Sequence, residues 1–327
     1  MVVGHRAPDV DSRTTGATLT AVRQSDQPPV VAVVGPTAAG KSDLAVDLAV
    51  RVGGEIINAD SMQIYRGMDV GTAKLPVAER RGVPHHLLDL YDVTRPATVA
   101  EFQRLARAAV ADCRRRGVVP VLVGGSALYV RAILDQFEFP GTDPQVRARL
   151  SDELAEYGAP AMHARLRERD PAAAAAILPT NGRRVVRALE VIELTGRPFT
   201  ATLPPRRYAY DDVVQIGLDV PRPVLDERIE LRVRRMWELG LVDEVRRLEA
   251  QGLRQGPTAS RALGYAQVLA FLAGECSEQE AQDETVRATR RFARRQHAWF
   301  GKDERITWLP FDAADLVEQA LAYDRRS

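Results

Sequence analysis

The sequence predicts an α/β fold: a parallel sheet core flanked by helices and interrupted by a small all-helical insertion domain. Three observations predict it. Residues 35–42 read Gly-Pro-Thr-Ala-Ala-Gly-Lys-Ser and fit the phosphate-cradling pattern G-x-x-x-x-G-K-[ST]. Apolar runs at 30–34, 55–60, 118–123 and 213–220 alternate with helical patterns, which argues for parallel strands with helices on both faces. From about 141 to 205 strand character disappears and Pro, Ala, Arg and Glu dominate. A chain of 327 residues has room for one large domain and a smaller one. The core is therefore expected to be P-loop NTPase-like.

Each element has its own signal. Residues 1–28 are polar, contain Gly and Pro, and lack the apolar stretch of a secretory signal, so a disordered leader is expected. The first part of the core runs over 29–140. Its first strand, 30–34, feeds the phosphate loop, and a helix follows at 43–51. A buried strand at 55–60 ends on the carboxylate of Asp60, and the Gly-rich, polar segment 61–75 reads as a functional loop. Helical spacing of Phe102, Leu105, Ala109 and Cys113, with Thr98 as N-cap, places a helix over 98–116. A strand at 118–123, the turn Gly124-Gly125-Ser126 and a helix at 127–134 complete this part. The insertion, 141–205, carries helical windows at 144–157, 160–169, 171–177 and 181–195, with Pro171 in a first turn. The second part of the core, 206–311, returns with a strand at 213–220 and helices near 223–239, 241–251, 259–273 and 277–300. Trp308-Leu309 closes that part, and 312–327 reads as a terminal helix.

Composition excludes several classes. There is no run of 18 apolar residues, so no membrane-spanning helix is expected. Cys113 and Cys276 are far apart, without metal-ligand spacing, which argues against a disulfide framework or a zinc site and for a reducing cytoplasm. The pair His85-His86 fits a packed loop better than a metal site. No interface pattern appears, so a monomer is expected. Net charge is +1, yet only Lys41, Lys74 and Lys302 are lysines; Arg supplies the other 42 basic residues. Lys41 stands where a compact ammonium suits a phosphate cradle, and Lys74 lies in a small-residue segment that suits close approach of an anion.

The chemistry concentrates at one rim. In open α/β sheets ligands bind at the carboxyl ends of the strands, which brings residues 35–42, Asp60 and Gly124–Ser126 together. Backbone N–H groups of Gly35, Pro36, Thr37, Ala38, Ala39 and Gly40 (Pro36 excepted), the new helix N-terminus and Lys41 form a diphosphate site, and Ser42 can hold Mg²⁺. Asp60 has two readings, a turn cap or a group that orders a metal or accepts a proton. The strand 118–123 ends without the carboxylate that would help water attack a γ-phosphate, which argues against a motor or ATPase. Ser126 reads either as a substrate contact or as a helix cap. Arg228 and Arg232, one helical turn apart, suit a lid over a diphosphate, or pairing with Glu227, Glu230 and Glu238. Arg287, Arg291, Arg294 and Arg295 share a helix face, and Arg183, Arg184 and Arg187 form a second basic cluster in the insertion. Two basic surfaces suit an extended polyanion such as nucleic acid; a solvated face on an Arg-rich chain is the structural alternative.

In this order the motifs resemble the bacterial tRNA dimethylallyltransferases, also called tRNA isopentenyltransferases. The matching stretches are Gly35–Ser42, Asp60-Ser61-Met62-Gln63, 67–74, 84–89, 123–126, 187–190, 262–265 and Arg294-Arg295-Gln296 before Trp299. The resemblance covers about 30–309. It implies transfer of a dimethylallyl group from dimethylallyl diphosphate to the exocyclic amine of the adenine 3′ to the anticodon, with diphosphate released. It implies Asp60 as the group that orients the amine and takes its proton, with Ser126 placing the same base. It implies an insertion that clamps the anticodon stem-loop. The implied tRNA contacts are Asp60, Ser61, Met62, Gln63 and Ser126; Arg147, Arg183, Arg184, Val185, Val186 and Arg187 in the insertion; and Arg261, Gly264, Tyr265, Arg294, Arg295, Gln296 and Trp299.

This chain departs from the family pattern at Ala39, where Ser is frequent, and at Gly301, where a basic residue is frequent. Three other readings share the loop: a small-molecule kinase using ATP, a prenyltransferase acting on free adenine nucleotides, and a non-catalytic RNA-binding NTPase. The first and second leave the insertion and the paired basic surfaces without a purpose.

Overall fold

The structure, a computed structural model, describes residues 27–199 and 204–323. The leader expected over 1–28 falls almost wholly outside the described residues. Six strands form one sheet: β1 (Val30–Val34), β2 (Glu55–Asn58), β3 (His85–His86), β4 (Pro120–Gly124), β5 (Val213–Asp219) and β6 (Ile306–Pro310). Their order is β3-β2-β4-β1-β5-β6, and every neighbouring pair is parallel. Around the sheet lie α1 (Lys41–Val52), α2 (Val99–Arg115), α3 (Ala127–Leu134), α7 (Arg222–Glu238), α8 (Leu241–Ala250), α9 (Tyr265–Leu272), α10 (Glu278–Phe300) and α11 (Leu316–Tyr323). The remaining helices, α4 (Pro144–Arg169), α5 (Pro171–Ala176) and α6 (Gly182–Thr195), make the insertion.

The central strand shows why both faces are covered. Successive side chains of a strand point to opposite faces. Val30, Ala32 and Val34 enter one core with residues of α2, α3, α8 and α9, whereas Val33 enters the other with residues of α1 and α7. A parallel sheet with apolar groups on both faces needs helices on both.

Two strands were not legible from the pattern. Ile306–Pro310, expected to be merely the end of the domain, pairs with β5 from Gln215↔Ile306 to Asp219↔Pro310 and forms an edge. Pro310 is tolerated at that edge, where a missing N–H disturbs no outer ladder. His85–His86 sits at the opposite edge and pairs with Ile56 and Ile57; two residues are too few to show a period. The helix expected near 259–273 is broken. A short 3₁₀ turn, Ala259–Arg261, is followed by α9 only after Gly264, whose φ of 85° interrupts the helix.

The insertion has a core of its own, centred on Leu150, Met162, Leu166, Val185 and Leu189. The windows expected at 144–157 and 160–169 are two helical stretches of α4 separated at Gly158, whose φ of 80° is non-helical. Asp143 caps α4 by accepting from the N–H groups of Gln145 and Val146, and Pro144 occupies its first turn. Asn181 caps α6 and Gly196 ends it in the left-handed conformation. The fully buried Glu190 fixes the entry to this unit. It accepts from the Thr142 hydroxyl at 2.6 Å, from the Asp143 N–H at 3.2 Å, from Arg147, and from Arg187 at 2.7 Å. Arg187 also donates to the carbonyls of Pro140 and Gly141.

Candidate active site

Glycines and close backbone approaches shape the rim at the carboxyl ends of β1, β2 and β4. Between β1 and α1, Gly35 (φ 135°), Ala38 (φ 63°) and Gly40 (φ 101°) turn the backbone through left-handed conformations, which directs successive N–H groups into one concavity. Lys41 Nζ donates to the Pro36 carbonyl at 2.7 Å, across the loop it belongs to. Ser42 follows in the first turn of α1, and among the described residues nothing hydrogen-bonds its hydroxyl.

At the end of β2 the chain turns sharply to present Asp60. The Asp60 N–H donates to Asn58 Oδ1 at 2.9 Å, and Asn58 Nδ2 donates back to the Asp60 carbonyl at 2.9 Å and to that of Leu87 at 3.1 Å. The Met62 N–H donates to Asp60 Oδ1 at 2.8 Å. Asp60 is thus a turn cap, and its carboxylate stands at the rim near Lys41 and Arg232. Buried Asn58 fixes the backbone that presents it.

The third strand end explains why no carboxylate stands there. A Cβ on Gly124 would lie 2.6 Å from the Ala59 carbonyl oxygen. The ends of β2 and β4 are therefore packed too closely for any side chain at that position. Ser126 is the N-cap residue of α3, yet its side chain accepts no capping hydrogen bond. Its hydroxyl is not committed to the cap.

Arg228 and Arg232, on α7, close over the loop. The Arg228 guanidinium comes within 3.5 Å of where a Cβ on Gly40 would sit, and Arg232 Nη1 donates to Thr37 Oγ1 at 3.3 Å. Of the acidic partners that the sequence offered, Glu230 goes elsewhere: it pairs with Arg290 at 2.8 Å and with Arg234.

The charges at this rim feel one another. Burial and then the Arg232 charge lower the Lys41 ammonium to about 7, with Asp60 opposing. Solvent still reaches Lys41 from the concavity, although protein surrounds it densely. Burial raises the Asp60 carboxyl, opposed by the Met62 N–H and then by the charges of Lys41 and Arg232. Burial also lowers Arg232, whose neighbours Asp43 and Asp60 oppose the effect while Arg228 adds to it. Without an anion, the cradle is an uncompensated concentration of positive charge beside one carboxylate.

The segment 61–75 is held from behind, and the central group there, Glu244, is one the sequence did not single out. The carboxylate of Glu244, buried in α8, accepts from the N–H groups of Asp69, Val70 and Gly71 and from the Tyr265 hydroxyl at 2.5 Å. Three successive N–H groups around one carboxylate form an anion nest that the protein fills itself. Lys74, expected near a ligand anion, is buried and paired at 2.6 Å with both Asp69 and Asp89. Gln63, within this segment, donates to the Thr72 carbonyl at 3.1 Å.

The residues expected to meet RNA divide into two groups. Ser61 is buried, whereas Met62 and Gln63 are partly exposed. Arg183, Arg184, Arg261, Arg294, Arg295 and Trp299 are exposed. Val185, Val186 and Tyr265 are buried, so their side chains pack the core, and Gly264 is buried as well. Arg147 and Arg187 are held by Glu190. Gln296 is 6% exposed and spans two segments of the rim: it accepts from the Thr37 N–H and donates to the Gly125 carbonyl. On α10, Arg287 and Arg291 pair with Glu284, one and two turns earlier. The freely presented part of that basic face is therefore Arg294 and Arg295.

Among the described residues, one carboxylate–imidazole–thiol group, Glu55, His86 and Cys113, has metal-like proximity. It lies at the other end of β2, and Arg116 binds Glu55 through two 2.7 Å hydrogen bonds, occupying the place of a cation. Both cysteines are free, and no helix among the described residues is long and apolar enough to cross a membrane.

Comparison with known proteins places this rim in context. The family described as IPP transferase matches residues 63–303. A tRNA dimethylallyltransferase from Thermobifida fusca is 69% identical over 298 residues, covering 90% of this chain and 93% of that protein. One from Streptomyces avermitilis is 68% identical over 291 residues, covering 89% and 93%. Among solved structures, a full-length tRNA isopentenylpyrophosphate transferase from Bacillus halodurans is similar with TM-score 0.67 and 42% identity, covering 90% of this chain and 95% of that one. A eukaryotic dimethylallyltransferase acting on tRNA is similar with TM-score 0.76 and 25% identity, covering 90% and 77%.

Proposed function

The chain belongs to the IPP transferase family, and from that premise we propose that it transfers a dimethylallyl group from dimethylallyl diphosphate to tRNA. The acceptor is the exocyclic amine of the adenine 3′ to the anticodon. The observation that carries this reading is the electrostatic cluster of Lys41, Arg232 and Asp60 at one rim. It places positive charge for a departing diphosphate beside a carboxylate for an incoming amine.

The loop Gly35–Ser42, with Arg228 and Arg232, binds the diphosphate and stabilises the negative charge that grows on it as the allylic C–O bond breaks. The bond electrons leave with the diphosphate, and the adenine nitrogen supplies the pair for the new C–N bond. Asp60 orients the amine, whose lone pair is delocalised into the ring, and accepts its proton as the bond forms. The unpartnered Ser126 hydroxyl is available to the same base. The uncommitted Ser42 hydroxyl beside diphosphate oxygens suits an all-oxygen Mg²⁺ site; Mg²⁺ bound there supplies further charge stabilisation to the leaving group. The target base has to leave its stack to reach this rim. The insertion and the exposed Arg294 and Arg295 are the surfaces that hold the stem-loop, and the enzyme acts as a cytoplasmic monomer.

The test is incubation with dimethylallyl diphosphate, Mg²⁺ and unmodified tRNA, followed by nucleoside mass analysis. A prenylated adenosine and equimolar diphosphate support the reading. Turnover of free AMP at a comparable rate, or phosphate transfer from ATP with unaltered tRNA, contradicts it.

A further inference from the structure

One side chain ties the RNA-facing helix to the diphosphate loop. Along α10 the buried Thr285 hydroxyl returns to its own helix, donating to the Ala281 carbonyl. Gln296 does otherwise. Its Oε1 accepts from the Thr37 N–H at 2.9 Å, in the phosphate loop, and its Nε2 donates to the Gly125 carbonyl at 2.8 Å, one residue before Ser126. The two partners fix the amide orientation, because an N–H can only donate and a carbonyl can only accept. Position 125 must be glycine for this bridge, since a Cβ there would collide with Gln296 Nε2.

The outer surface of the same two turns carries Arg294, Arg295 and Trp299, all exposed. A second link runs parallel: Arg290 of α10 donates to the Asp226 carbonyl at 3.2 Å and to Glu230 at 2.8 Å on α7, the helix that carries Arg228 and Arg232. Helix α10 is thus a rod with an RNA-facing side and an inner side attached to the loop, to the Ser126 turn and to the diphosphate arginines.

We infer that Gln296 is a positioning residue that couples RNA docking on the outer face of α10 to diphosphate binding in the loop 35–42. This rests on the reading that tRNA docks there. Seating of α10 by RNA orders the Thr37 and Gly125 segments together, so the diphosphate meets a loop already in its binding shape. By linkage the effect is reciprocal.

The test measures the affinity of Mg²⁺-pyrophosphate by calorimetry, with and without unmodified anticodon stem-loop RNA, for the wild type and for Gln296→Met. The expected result is a pyrophosphate Kd tightened about fivefold or more by the stem-loop in the wild type, and by less than about twofold in the variant. A merely structural role for Gln296 would weaken pyrophosphate binding equally with and without RNA, leaving the ratio intact; that outcome overturns the inference, as does a wild type without coupling. A wild type that neither binds nor prenylates the stem-loop overturns the proposed function instead. Should Gln296→Met fail to fold, hydrogen exchange on the wild type decides. Slowed exchange of the Thr37 amide on adding stem-loop supports the coupling, and unchanged exchange refutes it.

Discussion

The ammonium of Lys41 folds back onto the carbonyl oxygen of Pro36, 2.7 Å away, inside its own phosphate loop. It has no anionic contact there, and burial with the neighbouring Arg232 charge lowers it to about 7. A diphosphate in the loop reverses the balance and favours the charged form. Diphosphate binding is therefore expected to take up about one proton above pH 7 and none well below it. Calorimetry in buffers of different ionisation enthalpy measures this number. The folded-state value lies below the usual 10.5, so the unliganded fold binds fewer protons here than the unfolded chain. Its stability rises with pH across that window, and bound diphosphate cancels the rise.

Arg228 and Arg232 meet the loop from α7 without acidic partners of their own. Arg228→Ala or Arg232→Ala is expected to raise the KM for dimethylallyl diphosphate by about 10- to 100-fold, the worth of a charged hydrogen bond. The stem-loop Kd should change little. Steady-state kinetics with each substrate varied in turn distinguishes this from a general loss of fold.

On α10 the sequence suggested a continuous basic face, but Arg287 and Arg291 share the one carboxylate of Glu284. Changing Arg294 and Arg295 together to Ala should raise the tRNA KM and reduce the slope of log K against log salt by about 1 to 2. The pair Arg287→Ala and Arg291→Ala should alter the slope less. Equal effects would contradict the division of that face.

Glu190 organises the insertion through Thr142, Arg147 and Arg187. Burial alone would push its carboxyl up, but these partners outweigh burial and hold it at about 2. A folded value below the unfolded one contributes stability above the unfolded value of 4.5 that is lost as pH falls towards 2. Glu190→Ala is expected to destabilise the insertion by about 1 to 3 kcal/mol. Faster hydrogen exchange in α4 and α6 than in the sheet would show it.

What could be read from the sequence depended on the range of the interaction. The loop 35–42, the strand ending near Asp60 and the Thr98 cap are local signals, each specified by neighbours within a few residues. Glu244 beneath residues 69–71, Lys74 between Asp69 and Asp89, and Gln296 between Thr37 and Gly125 depend on pairings across the fold, and nothing local announces them. Tyr265 and Val185 are implied as RNA contacts by the family resemblance, and both side chains are buried. The two shortest or most atypical strands, His85–His86 and Ile306–Pro310, lacked enough period-2 pattern to be recognised.

In the proposed mechanism Asp60 accepts the amine's proton beside a loop that holds the leaving diphosphate. The most direct test is the single-turnover rate of prenyl transfer to a saturating anticodon stem-loop, for the wild type and for Asp60→Asn. We expect a fall of about 10²- to 10⁴-fold in that rate, with stem-loop and pyrophosphate affinities kept within a few-fold. A variant that transfers the prenyl group at close to the wild-type rate would contradict it.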